Sequence, residues 1–541
     1  MLRFNKKVSA AVSAILVLFC VSCRSVRQPS SIPQALNYDD DYVVQIEVDR
    51  IDSFLESEPL RALWRASLLG RDDVTERCLA KIEELFNKAL EEEKYLDAKK
   101  YYASLRAVKP GWKSEKYSYG DIEVLAWGNV PGFGKNTTPP AKISDCMKAA
   151  VTIWVDRGVK VKNGAGYADI VIGSGFFIDS RGYIVTNHHV IDSMVNPKYE
   201  GYSRLYIKLP DDNLTKIPAK VIGYDSLLDL ALLKVEIKPE FVLDLGSSDD
   251  LEIGDKISAI GTPVGLEGTL TSGIISSFDR KLLALGNVFQ IDAAVNSGNS
   301  GGPLIDKNLK VQAIVFAGLL QLQGLNFAIP VEYLKQELVY LYGRGEIVHP
   351  WIACYGNTKK EGGKKLGLEV QYVLPGGSAF MAGLTPGDVI TSFDGKPVSS
   401  IDDFNFLMMS YETEMIVECC YRSVQGENKK CLVYLEKRPE NPSLTVYESD
   451  LIKTSFVPLF GMKLIPSSTT NRKSYTIEKI VLGSSADEMG FSEQDTVTVL
   501  DVTVDQKNKI LYTILSTKRK KQAYLDIVIN LVTSFDSPYY F

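Results

Sequence analysis

The stretch Gly298-Asn299-Ser300-Gly301-Gly302-Pro303 decides how this chain is read. Its glycines reach backbone angles closed to other residues and let a second chain approach closely. A serine hydroxyl is a poor nucleophile at neutral pH. It needs an adjacent base and donors for a developing oxyanion. The N–H groups of Gly298 and Ser300 are the natural donors, and losing one such donor in a comparable site costs about 3–4 kcal/mol. Ser300 is therefore the candidate nucleophile.

Two architectures present a serine on such a turn. A strand-to-helix elbow, Gly-x-Ser-x-Gly, requires the chain order serine, acid, histidine. Downstream of Ser300 the only histidine is His349, in a His-Pro linker, and Pro303 fits poorly in an elbow helix. Upstream, His188 and His189 follow Thr186-Asn187 at the end of an apolar run, and Asp192, Asp225 and Asp229 are candidate acids. Neighbours on a strand face opposite sides, so one of the two histidines faces the site. The residues alone leave that choice open. Asp229 precedes Leu230-Ala231-Leu232-Leu233, a position that can hold a carboxylate against an imidazole and fix its tautomer.

The surroundings are β-rich. From Val151 to Pro330, short β-branched and aromatic runs alternate with Gly, Asp and Asn turns, which predicts antiparallel sheet enough for two small barrels. A helix from Val331 to Tyr342 closes this unit. Before it, residues 38–112 read as helical: Asp73-Val74-Thr75-Glu76 is a capping-box pattern, and Leu79, Ile82, Leu85, Phe86 and Leu90 recur at helical spacing. The helix pair resembles one tetratricopeptide hairpin, and residues 113–140 read as a linker. After it, Gly377 to Asp388 repeats as Ser484 to Asp495, with Ala, Gly and Asp at identical spacing. Duplicated modules over 350–440 and 455–541 are expected.

Composition narrows the function. The 541 residues carry a net charge of −6, which excludes a global basic field for nucleic acid. Lys518-Arg519-Lys520-Lys521 reads as a solvated turn. Three histidines and no His/Cys array of zinc spacing point to no metal, and no phosphate loop or dinucleotide fingerprint points to a cofactor. Arg3, Lys6 and Lys7 precede an apolar stretch, Val8 to Val21, too short to span a bilayer. Its end, Cys20-Val21-Ser22-Cys23, resembles a bacterial lipoprotein processing site with Cys23 as the lipidated residue. Residues 1–23 are thus read as a signal peptide and 24–37 as a tether. Cys419, Cys420 and Cys431 leave open a hairpin disulfide or buried free thiols.

Five ordered motifs now bear on the choice: Gly173-Ser174-Gly175-Phe176-Phe177-Ile178, Thr186-Asn187-His188-His189-Val190, Asp229-Leu230-Ala231-Leu232, Asn296 to Leu304, and Phe327-Ala328-Ile329-Pro330. Together they resemble the HtrA/Deg serine proteases. The resemblance implies an all-β chymotrypsin-like double barrel over 141–342, with His189 as base, Asp229 as acid, Ser300 as nucleophile, and Gly298 and Ser300 as oxyanion donors. It implies a cofactor-free endopeptidase for unfolded or misfolded envelope polypeptides. It also implies a homo-oligomer, a trimer or a multiple of one, held by its lipid on the periplasmic side of a bacterial membrane. Ala294, Val295, Leu325, Asn326 and Phe327 are expected at the substrate pocket, which favours a small aliphatic residue. Asn326 stands where the family usually has Gly. The two C-terminal modules resemble PDZ domains, α+β units that take peptide C-termini as an added strand. The first has Ile352, Ala353 and Cys354 as its carboxylate loop. The second lacks a Gly before Asp495 and is degenerate. The competing expectation is a peptide-binding chaperone or scaffold with little proteolysis.

Overall fold

A computed structural model describes residues 41–132, 138–261, 268–296, 298–318, 325–467, 473–518 and 526–541. Cys23, the tether and Arg519 to Lys521 lie outside the described residues.

The β-rich region forms two closed six-strand barrels. The first takes β1 (Ala150–Lys162), β2 (Ala165–Asp179), β3 (Tyr183–Thr186), β4 (Arg204–Leu209), β5 (Asp212–Asp225) and β6 (Leu230–Val235) in the order β1-β2-β3-β6-β5-β4. The second takes β7 (Lys256–Gly261), β8 (Thr269–Arg280), β9 (Val288–Ile291), β10 (Pro303–Ile305), β11 (Val311–Gly318) and β12 (Asn326–Pro330) in the order β10-β11-β12-β9-β8-β7. The continuous apolar run in β6 has a physical reason. Ala231, Leu233 and Val235 face the interior of the first barrel, while Leu230 and Leu232 face a core shared between the barrels. A strand buried on both faces needs no polar alternation. The closing helix, Val331–Arg344, inserts Leu334, Leu338 and Leu341 into the same shared core.

Ahead of the barrels, helices Asp41–Phe54, Pro59–Leu69, Asp72–Glu91, Tyr95–Val108 and Tyr119–Trp127 share one core around Leu63, Trp64, Ile82 and Phe86. The capping box expected at Asp73 does not form. The helix starts at Asp72, and the Asp73 carboxylate accepts from the Arg71 guanidinium at 2.9 Å instead. Asp72 and Asp73 still favour this helix end through its dipole.

Two modules follow. The first adds β13 (Pro350–Trp351), β14 (Cys354–Glu361), β15 (Lys364–Val373), β16 (Val389–Phe393), β17 (Lys396–Pro397), β18 (Ile416–Arg422), β19 (Asn428–Tyr434) and β20 (Glu436–Lys437), with sheet order β14-β15-β16-β18-β19. The second adds β21 (Met462–Pro466), β22 (Ser474–Ile480), β23 (Thr496–Asp505), β24 (Ile510–Lys518) and β25 (Asp526–Ser534) in sequential order. The repeat is matched bond for bond. Asp388 Oδ2 accepts from the Thr385 N–H at 2.8 Å, and Asp495 Oδ2 from the Ser492 N–H at 2.9 Å. Where Gly387 takes φ 103°, Gln494 takes φ 71°, so the missing glycine left the turn in place at the cost of backbone strain. Cys419 and Cys431 face each other across the β18–β19 hairpin as free thiols.

Candidate active site

The two histidines sit at the start of a helix, His188–Val195, rather than on a strand. Successive helical residues turn by about 100°, and this separates their fates. The His188 ring stacks on Tyr224 at 5.2 Å, with Nε2 4.0 Å from Asp192. His189 turns toward Asp229. The third candidate acid, Asp225, is fully buried and pairs with His349 Nε2 at 2.8 Å. Each of the three aspartates thus meets a different histidine.

Asp229 is held from four directions. Its Oδ1 accepts from the His189 backbone N–H at 2.7 Å, and Oδ2 lies 2.7 Å from His189 Nδ1. Its carbonyl accepts from Asn187 Nδ2 at 2.8 Å and from the His188 N–H at 3.2 Å. This grip holds a left-handed backbone, φ 54°, a region in which Asp is enriched. The carboxylate is nearly buried while the His189 side chain stays 48% exposed. Burial disfavours the charged ring. The hydrogen bond and charge of Asp229 outweigh that and place the His189 pKa above its ordinary value.

Ser300 comes from the second barrel and is pinned to the first. The Ser174 N–H donates to the Ser300 carbonyl at 2.8 Å, and Ser174 Oγ donates to the Gly298 carbonyl at 2.6 Å. Thr186 Oγ1 donates to the Ser174 carbonyl at 2.7 Å. Gly301, at φ 85°, brings the turn so close that a Cβ there would lie 2.3 Å from the Ser174 carbonyl oxygen. The sequence reading assigned no role to Ser174, Thr186 or Asn187, though all three stand inside its quoted motifs. The Ser300 hydroxyl donates to the Phe316 carbonyl at 3.2 Å. Among the described residues, the N–H groups of Gly298 and Ser300 have no acceptor.

The pocket residues divide. Asn326 reaches across with Nδ2 donating to the Ala293 carbonyl at 2.8 Å. Ala294 is exposed, and its carbonyl accepts from Thr271 Oγ1 at 2.9 Å. Val295 and Phe327 turn into core clusters, and the partly buried Leu325 packs against the same core as Phe327. A separate cleft of about 790 Å³ lies between the second barrel and the first module, lined partly by Phe278, Phe289, Tyr333 and Phe406.

One buried trio, Asp225, Glu337 and His349, has its ligand atoms within 4.8 Å of one another. The His349–Asp225 pair already satisfies two of its members. Glu337 is pushed well above the usual carboxylate range by burial and then by the charge of Asp225. Both its carboxyl oxygens are buried, and Oε1 lies 3.8 Å from His349 Nε2.

A double barrel with a serine turn lodged between its halves defines a chymotrypsin-fold serine peptidase, here followed by PDZ modules. A trypsin-like peptidase domain model matches residues 173–314, and a PDZ domain model matches 369–418. A TP0546 family PDZ domain model matches 443–535, and a domain of unknown function matches 42–126. A probable periplasmic serine endoprotease, DegP-like, from Marinomonas sp. (strain MWYL1) is 30% identical over 347 residues, 61% of this chain and 71% of that protein. A relative of the same description from Bartonella henselae is 38% identical over 288 residues, 51% of this chain and 55% of its own length. The solved HtrA-type protease AlgW with decapeptide is 25% identical, with a TM-score of 0.46 over 55% of this chain and 98% of its own. The chain belongs to the DegP/HtrA family of serine endoproteases.

Proposed function

We propose that this chain cleaves unfolded envelope polypeptides on the periplasmic side, through Ser300, His189 and Asp229. The observation that carries the reading is the double grip of Asp229 on His189, through ring and backbone, which leaves Nε2 as the free edge of a half-exposed imidazole. In the reaction, Ser300 Oγ leaves the Phe316 carbonyl and attacks the scissile carbonyl carbon while His189 Nε2 takes its proton. The N–H groups of Gly298 and Ser300 hold the oxyanion. The tetrahedral intermediate collapses, the C–N bond breaks, and His189 returns the proton to the departing amine. Water then hydrolyses the acyl ester along the same path. Asp229 keeps the imidazole in one tautomer throughout. The exposed Ala294 and the Asn326 bridge across the pocket suit a small apolar residue before the scissile bond. Peptide binding at the first PDZ module, an oligomer, and anchoring through Cys23 complete the proposal.

The chaperone reading draws on one observation. The Ser300 hydroxyl is bonded to Phe316 and makes no hydrogen bond to His189. Labelling with a tagged fluorophosphonate and digestion of β-casein test both readings. Wild type is expected to label and digest, and Ser300→Ala to do neither, falling by about 10⁶-fold in rate. An unlabelled wild type that leaves casein intact, yet suppresses its aggregation as Ser300→Ala does, would overturn the endopeptidase in favour of the chaperone.

A further inference from the structure

An edge strand offers a row of unpaired N–H and C=O groups that another strand can fill. In the first PDZ module that edge is β14, which begins at the Ile352-Ala353-Cys354 loop and is paired on one side with β15. Ala353 takes φ 64°, a left-handed turn that a residue with a Cβ adopts only with strain.

The other side of β14 is filled by the chain's own segment Pro538-Tyr539-Tyr540-Phe541. The Cys354 N–H donates to the Phe541 carbonyl oxygen at 2.8 Å, and the Phe541 N–H donates to the Cys354 carbonyl at 3.0 Å. The Gly356 N–H donates to the Tyr539 carbonyl at 3.1 Å, and Tyr355 pairs antiparallel with Tyr540. Side chains complete the fit. Phe541 is 3% exposed and meets Phe404, from helix Ile401–Met408, at 5.2 Å edge to face. Asn405 on that helix donates from Nδ2 to the Pro538 carbonyl at 3.0 Å. Tyr540 faces the opposite way, its hydroxyl 3.0 Å from Ser443 Oγ and its carbonyl accepting from buried Arg438 Nη1 at 3.0 Å. Backbone pairing, an apolar pocket and a polar clamp are what a strand-adding peptide site requires.

We propose that residues 538–541 are a resident ligand of the first PDZ groove, so that a foreign peptide enters only by displacing them. The groove accepts an extended segment with a large aromatic side chain at the Phe541 position and a second aromatic before it. The inference deepens the peptide-binding part of the proposed function and rests on it. A tethered competitor acts at an effective concentration in the millimolar range. If the tail segment's own intrinsic Kd for the groove is about 10 μM, a foreign peptide should bind about 100-fold more weakly while the tail is seated, the ratio of that concentration to that Kd.

The test is fluorescence polarisation with fluorescein-labelled Ser-Pro-Tyr-Tyr-Phe. It compares the full chain with a variant ending at Ser537, after thermal melts establish that the variant is folded. The truncated chain is expected to bind about 100-fold more tightly. Equal affinity overturns the resident ligand, and a folded truncated chain that binds nothing overturns the groove itself. Fluorophosphonate labelling is run in parallel. A chain that shows the affinity gap without labelling sinks the endopeptidase and leaves this inference standing. If the truncation does not fold, hydrogen exchange on the wild type decides. Saturating peptide should expose residues 536–541 while 354–361 stay protected, and a tail that stays protected under bound peptide overturns the proposal.

Discussion

At the scale of a residue, His189 and Asp229 set the pH response. The imidazole must be neutral to accept the Ser300 proton, so kcat/KM should rise with pH through the His189 pKa. Asp229 places that pKa above the ordinary histidine value, and the acid limb should be shifted upward accordingly. Asp229→Asn removes the charge and admits the wrong tautomer. We expect it to lower kcat by about 10⁴-fold and to move the limb toward lower pH, read from kcat/KM against pH on a peptide substrate. A limb that stays in place would detach His189 from Asp229. The stability sign is separate. A raised folded pKa favours the fold below the unfolded value, and that contribution is lost as pH rises through the folded one.

At the scale of an element, the strand end at Asp225 and the closing helix at Glu337 meet the linker residue His349. For Asp225, burial works to raise the pKa, but the charge and hydrogen bond of His349 hold it down at about 2. Its stabilising contribution is present above its ordinary 3.8 and lost as pH falls through about 2. Glu337 slopes the other way. The folded chain keeps its proton, so stability falls as pH rises from its ordinary 4.5 toward the raised value. His349→Ala strands a buried carboxylate and should cost about 3–5 kcal/mol. Glu337→Gln should flatten the loss of Tm that sets in as pH rises above the ordinary 4.5, read from thermal melts across pH, and an unchanged slope would place that loss elsewhere.

This trio also marks what was legible in the chain. The Ser300 turn could be read because acyl chemistry needs those residue types at that spacing. The barrel strands could be read because a doubly buried strand is apolar throughout. The choice of His189 over His188 turned on a helix starting at that point, which local pattern does not show. The partner of Asp225 lies 124 residues away. The seat of Phe541 on Cys354 likewise joins distant segments of the chain that no periodicity connects. In the second module, Gln494 kept its turn without the glycine, so a missing residue type was a weaker signal than the bonds it serves.

At the scale of the whole molecule, one side chain ties three bodies together. Arg344 ends the closing helix of the protease barrels. Its Nη2 donates to Asp97 of the N-terminal helices at 2.7 Å and to Glu412 of the first PDZ module at 2.9 Å, and its Nε donates to Glu412 at 2.6 Å. Around it, Trp64 stacks on Tyr434 at 5.5 Å and donates from Nε1 to the Leu432 carbonyl, and Ser104 Oγ accepts from the Ile416 N–H. The N-terminal core runs into the PDZ module through Ile416 and Tyr434, so the apolar contact outlasts the loss of any single ion pair. Arg344→Ala should therefore loosen the junction without unfolding its parts. With about 1–2 kcal/mol removed, we expect a Tm lower by roughly 2–6 °C and faster limited proteolysis at residues 109–118 and 345–349. Fluorophosphonate labelling of Ser300 should persist, since among the described residues none of the hydrogen bonds of Ser300 involves this arginine. Arg344→Lys should not restore the wild-type rate of cleavage, because an ammonium cannot span two carboxylates as the planar fork does. Full rescue by lysine would reduce the junction to simple charge attraction and remove the guanidinium as the hinge pin of the three bodies.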